Sequence, residues 1–248
     1  MSGILERGDL FFFYRPRVDT DRVGGLRDVQ RFFVVLEPDG TKLFRRLVVG
    51  RKRLPNPSAH ERTWAFVAEV ATRPEELRDE LERKVYETRT RGTRVQPEAR
   101  PAGEARYAIV QHDGHTHLAY ALELPRRRGA VQKELGIERE VSFIVAVRNP
   151  DSPAPRGTGL PAREQADFPN RLLELFRGRR FAPLSPPDFL DYEGAEIVLI
   201  GAAEDAEREL GIDFDIRRER LEASDLVRDL RLRIGEDVPA DPLKGRSA

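Results

Sequence analysis

The stretch QHDGHTHLAYALELP, residues 111–125, decides how the fold is read, because an Asp-Gly pair stands between two strand-like runs. Asp-Gly suits a type I′ turn, in which both central residues need positive φ, and such a turn joins neighbouring antiparallel strands. If Asp113-Gly114 is a two-residue turn, His112 faces His115 and Val110 faces His117. Directly opposed residues share a sheet face, so three imidazoles then point to one side. If the turn is longer, Gln111 faces His115 and Ile109 faces His117, and only the His115/His117 pair stays together. The first register makes His112, His115 and His117 a candidate ligand set for Zn²⁺ or Fe²⁺, with a position left for water.

The same reading extends outward along the chain. RFFVVLEPDGTKLFRRLVV (31–49) is a second hairpin, turned at Glu37-Pro38-Asp39-Gly40. LFFFYRPRV (10–18), ending before the Gly24–Gly25 loop, TWAFVAEVA (63–71), VSFIVAV (141–147) and EIVLIGA (196–202) read as further strands. Thr72-Arg73-Pro74-Glu75 has the spacing of a capping box and opens a predicted helix whose stripe is Leu77, Leu81 and Val85. Shorter helices are expected at 130–135 before Gly136, from Asp167-Phe168-Pro169 to Gly178, and in an acidic run ending at Gly211. Residues 86–96 read as one alternating strand, Pro97–Gly103 as a loop, and Asn149–Pro161 as a linker or long surface loop. Ile212, Phe214 and Ile216 alternate as a half-exposed strand would.

These elements predict an α+β fold: an antiparallel or mixed curled sheet built from β-hairpins with flanking helices, in a single domain over 1–235 with a flexible tail at 236–248. The two hairpins are each followed by a Glu-Arg pair and a strand, which aligns Phe66 with Phe143 and Val70 with Val147. That echo raises an internal duplication with halves 8–97 and 98–235.

Composition narrows the function. The 43 basic residues balance 43 acidic ones, which argues against coating nucleic acid by bulk charge. Only five of the basic residues are lysines (Lys42, Lys52, Lys84, Lys133 and Lys244); the rest are arginines, whose planar fork suits carboxylate and phosphate. The chain has no cysteine, so disulfides, thiolate-held zinc and a thiol nucleophile are excluded. No membrane span or cleavable leader is legible, and a soluble, cytoplasmic protein is the expectation.

Two clusters could carry chemistry. TRTRGTR (88–94) sets Arg89 and Arg91 on one predicted strand face, with Arg94, Arg100 and Tyr107 nearby, a plausible cradle for a nucleotide, a phosphate compound or RNA. The histidine hairpin could instead serve a metal-dependent enzyme. Its His-x-His pair is similar to the cupin motif, but Glu123 follows His117 by about 20 Å of regular strand and cannot share its metal. There is no Gly-x-Ser-x-Gly elbow, Walker loop, dinucleotide fingerprint or His-Glu-x-x-His helix. A structural or regulatory interaction protein is the third reading.

GDLFFFYRPRV (8–18), VQRFFVVL (29–36), TRTRGTR (88–94), ARPAGEARY (99–107), HTHLAYALELP (115–125) and LDYEGAEIVLIGA (190–202) together resemble a family of bacterial and fungal proteins with no established activity. Some fungal members carry the label BTB domain transcription factor. The resemblance spans about residues 6–235 and implies one fold over that length, without site residues. The family's Gly-Glu-Gly-x-Tyr is replaced here by Gly103-Glu104-Ala105-Arg106-Tyr107.

Overall fold

The computed structural model describes residues 3–153, 159–214 and 216. The tail at 236–248 and residues 154–158 of the expected linker lie outside the described residues.

The strands are β1 (Gly3–Pro16), β2 (Val29–Pro38), β3 (Phe44–Val49), β4 (Arg62–Ala71), β5 (Lys84–Thr88), β6 (Gly92–Gln96), β7 (Arg100–His112), β8 (His115–Leu124), β9 (Glu140–Arg148), β10 (Phe181–Pro183) and β11 (Glu196–Ala203). Short helices α1 (Ala130–Glu134), α2 (Asn170–Leu173) and α3 (Ala206–Leu210) lie between or beyond them. Eight strands close into an antiparallel barrel in the order β1, β2, β3, β4, β11, β9, β8, β7, with β7 returning to β1. Closure leaves no unpaired edge in the barrel wall. β10 extends β9 beyond the end of β8, while β5 and β6 form a separate two-stranded sheet.

The α+β expectation is therefore overturned. Every pairing among the described strands is antiparallel, and the sheet is closed where a curled sheet with flanking helices was expected. The predicted helix over 72–85 accounts for much of the difference. Pro74–Glu80 is a 3-10 segment and the chain then enters β5. Leu77 and Leu81 are buried, but Val85 is 62% exposed. Glu76, one position beyond the expected box residue, accepts hydrogen bonds from the backbone N–H of Thr72 and Arg73 at 3.0 and 3.3 Å. Residues 86–96 are a hairpin, not one strand, and the supposed loop at 97–103 contains the start of β7. Phe214 is buried, but no strand forms at 212–214.

Alternation explains the core. Leu10, Phe12 and Tyr14 of β1 point inward with Phe32, Val34, Leu47, Tyr107, Tyr120 and Phe143. Phe11 and Phe13 point outward and are covered with Phe33 and Phe44 by Leu77 and Leu81. β1 is buried on both faces, which is why its sequence is a continuous apolar run instead of an alternating one. On another outer face, Ala108, Ala119 and Ala121 let α3 approach closely, and Leu210 and Phe214 seal the contact.

The barrel is plugged at both ends. Where β1 finishes, α1 and the 50–60 loop supply Leu54, Leu135 and Ile137, and buried Gln132 donates to the Ala102 carbonyl at 2.7 Å. Where β1 starts, residues 166–195 stack Phe168, Phe176, Phe189 and Tyr192 against each other. The first half of the chain contributes β1–β4 and the second β7, β8, β9 and β11, so each depends on the other to close the wall. The aligned Phe66 and Phe143 do not occupy matching places: Phe143 lies in the interior cluster and Phe66 lines an outer groove. Val70 and Val147 both pack toward the interior, after a bulge in β4.

Candidate functional site

Asp113 and Gly114 have φ of 46° and 79°, and His112 pairs with His115, so the tight register holds. His112, His115 and His117 share the barrel's outer face beside α3. His115 is exposed, and the His112 and His117 rings meet edge to face at 6.0 Å. No group of three His, Cys, Asp or Glu among the described residues could hold a metal ion, so the histidines share a face without forming a coordination set. Glu123 is buried further along β8.

His117 is buried with its Nδ1 unpartnered, and burial pushes its pKa below the ordinary histidine value; Glu209 on α3 and Asp113 pull it up, and His112 and His115 push it down. A lowered folded pKa means that the unfolded chain binds the proton more readily, so stability falls as pH drops below about 6.5. His117→Gln is expected to flatten that slope, read as urea midpoints at pH 7.5 and 5.5. An unchanged slope would show that other groups dominate.

The arginine cluster is dispersed. Arg89 and Arg91 are exposed around the β5–β6 turn, where the Arg91 N–H is bound by Thr88 Oγ1 at 3.0 Å, not on one strand face as expected. Arg94 pairs with Asp19 at 2.6 Å. Tyr107 donates its hydroxyl to Glu6 at 2.7 Å inside the barrel. Along β7, Arg100 pairs with Tyr14 and Gln111 with Gly3, so the histidine turn lies roughly 35 Å from Arg100 at about 3.3 Å per residue. The Thr-Arg hairpin belongs to Arg100's end of the barrel: the Val95 carbonyl accepts from the Asp19 N–H at 2.8 Å, and Gln96 donates to the Pro16 carbonyl at 2.9 Å. The histidine turn and the Thr-Arg hairpin therefore lie at opposite ends of β7 and form no shared site.

One predicted residue stands out in place. Among the described residues, four of the other five buried guanidinium groups are matched to carboxylates: Arg45 to Glu6 and Asp191, Arg46 to Glu69, Arg106 to Asp9 and Asp39, Arg148 to Glu196. Arg15 reaches the backbone carbonyls of Glu80 and Glu82. Arg100 donates from Nη2 to the Asp21 carbonyl at 2.7 Å and also interacts with the Tyr14 hydroxyl, and no carboxylate among the described residues pairs with it. Directly across the ladder stands Tyr14, buried, its hydroxyl beside the Arg100 guanidinium. Burial raises the Tyr14 pKa despite the Arg100 charge and the hydrogen bond with Arg100, which keeps the phenol protonated and a donor near neutral pH.

Tyr14 also lines a cavity of about 50 Å³. Val23, Gly24, Gly25 and Leu26 of the loop after β1 form one wall, Val29 begins β2, and Val131, Glu134 and Leu135 come from α1 and its end. Asp21 of the same loop holds Arg100, Asp19 holds Arg94, and Asp28 accepts from the Gly24 N–H at 2.9 Å, so the loop is tied down at several points. Tyr14 was hidden in the sequence by its place in an apolar run. Its only signal was a polar tip at the end of that run, just ahead of the Gly24–Gly25 loop.

Two wider grooves have their carboxylates engaged. One of about 510 Å³ runs past Trp64, Phe66 and Glu196, but Glu196 is bound to Arg148 and to the Leu160 N–H. Another of about 510 Å³ includes Glu140 and Glu207, which accept from the backbone N–H groups of Glu207 and Phe214. The chain matches no family model, no curated protein and no solved structure. Among the described residues, no helix is long and apolar enough to cross a membrane.

Proposed function

We propose that the protein is a binding module for a small anionic molecule, captured at the barrel end where β1 finishes. The observation that carries this reading is a buried guanidinium, Arg100, that no carboxylate among the described residues neutralises, beside the buried hydroxyl of Tyr14. A guanidinium has five donors and no acceptor, and leaving buried charged donors unmatched is costly. The chain meets that need with carboxylates at Arg45, Arg46, Arg106 and Arg148. At Arg100 a ligand's acceptor atoms would meet it. The cavity that Tyr14 lines, which Arg100 does not, is about 50 Å³ and holds about four water-sized groups, which favours a compact ligand over a nucleotide or an RNA chain.

Calorimetric titration with acetate and with inorganic phosphate tests the reading. At least one probe should bind saturably to the native protein. Arg100→Met should weaken that binding by about 10- to 100-fold, the worth of a charged hydrogen bond, and Tyr14→Phe by less. Binding that survives Arg100→Met unchanged would remove Arg100 from the site, and native protein that takes neither anion would defeat the proposal.

A further inference from the structure

The β5–β6 hairpin stands apart from the barrel wall, its two strands pairing only with each other. We infer that it is an arm that seats in the major groove of duplex DNA, with Arg83, Lys84, Arg89 and Arg91 meeting the phosphates. Lys84, Val85, Tyr86 and Glu87 are all exposed, and successive strand residues point to opposite faces, so β5 is open on both. A two-stranded hairpin alone is marginal in water, and this one is held at its base. Asp19 accepts from the Val95 N–H at 2.8 Å and pairs with Arg94 at 2.6 Å, and buried Gln96 donates to the Pro16 carbonyl at 2.9 Å. The tip is ordered as well. Thr88 Oγ1 accepts from the Arg91 N–H and donates to the Gly92 carbonyl, both at 3.0 Å, and Gly92 ends the turn with φ of 64°.

The charge on this arm is one-sided. Arg83, Lys84, Arg89 and Arg91 are exposed, and none of them pairs with a carboxylate among the described residues. Arg94 is neutralised by Asp19, and Glu87, the one carboxylate on the arm, accepts from the Thr93 hydroxyl. In a chain of zero net charge this is a local basic excess, which a polyanion matches. Val85 and Tyr86 are 62% and 43% exposed, so a partner that seats the arm also covers apolar surface. Shape selects among polyanions. Each strand has five residues, and the major groove of B-DNA, about 12 Å wide, admits a two-stranded ribbon. The major groove of duplex RNA is too narrow for side chains to enter. Tyr86 alone is a poor stacking platform for single strands. The tip, Thr88 to Arg91, is polar, where an arm that enters a membrane would carry its apolar residues.

Fluorescence anisotropy of a labelled DNA duplex of mixed sequence, titrated with the full chain at several salt concentrations, tests the assignment. With four phosphates met, affinity should fall about 100-fold between about 50 and 200 mM salt. Arg89→Ser combined with Arg91→Ser should bind about tenfold more weakly at the lower salt and lose only about tenfold over the same range. Its urea midpoint should match the native one, because both side chains are exposed and unpaired. Arg179→Ser combined with Arg180→Ser removes the same charge from exposed positions ahead of β10 and should leave the affinity near the native value. No binding of the duplex at the lower salt, or equal weakening by the two double variants, would overturn the assignment. So would tighter binding of single-stranded RNA of the same length, or retention on phosphatidylserine vesicles in place of the duplex.

Discussion

Arg45→Met is expected to lower the unfolding free energy by about 3–5 kcal/mol, the cost of removing one partner from a buried ion pair. The Arg45 side chain is 4% exposed and holds Glu6 at 2.7 and 2.9 Å and Asp191 at 2.7 Å. Glu6 belongs to β1, Arg45 to β3, and Asp191 to the segment that plugs the barrel where β1 starts. Methionine fills similar space but leaves the two carboxylates without their cation, and the Tyr107 hydroxyl alone continues to serve Glu6. Urea unfolding followed by far-ultraviolet circular dichroism reads the change. A loss below about 1 kcal/mol would put this network in the range of exposed surface pairs and contradict its role in fastening the plug.

Phe12→Ala is expected to cost about 3–5 kcal/mol as well, through lost burial and an enlarged cavity. Phe12 is fully buried in the barrel, stacked on Phe32 at 6.3 Å between ring centroids and meeting Tyr120 edge to face at 5.1 Å. It already borders an apolar cavity of about 20 Å³, and a closed wall of eight strands relaxes little to fill a larger one. Phe12→Leu should recover most of the loss. A Phe12→Ala protein with native stability would mean that this side chain does not point into a packed interior.

Hairpins were the legible part of the fold. Asp113-Gly114 and Glu37-Pro38-Asp39-Gly40 carry their turn chemistry locally, so register followed from a few neighbouring residues. Closure was not legible, because the β1–β7 and β4–β11 pairings join residues far apart in the chain and no local pattern encodes them. The 72–85 segment shows how local spacing misleads. Leu77 and Leu81 are buried as a helical stripe requires, yet Val85 follows a change of direction into a strand that the four-residue spacing does not reveal. At the site, Arg100 was a candidate because arginine is a generic anion ligand. Nothing in the sequence showed that Arg94 already had Asp19 or that Tyr107 already had Glu6. What marks Arg100 is its missing counterpart, and a missing counterpart becomes visible only when the neighbours are in place.

Arg100 therefore behaves differently from Arg45 if it serves a ligand instead of the fold. The most direct measurement is the unfolding free energy of Arg100→Met beside that of Arg45→Met, in buffer without carboxylate or phosphate. A ligand-serving Arg100 predicts a change within about 1 kcal/mol, of either sign, because the lost Asp21 contact is offset by removing an unmatched buried charge. A loss as large as that of Arg45→Met would show that the guanidinium is satisfied within the folded chain, and would contradict an anion site there.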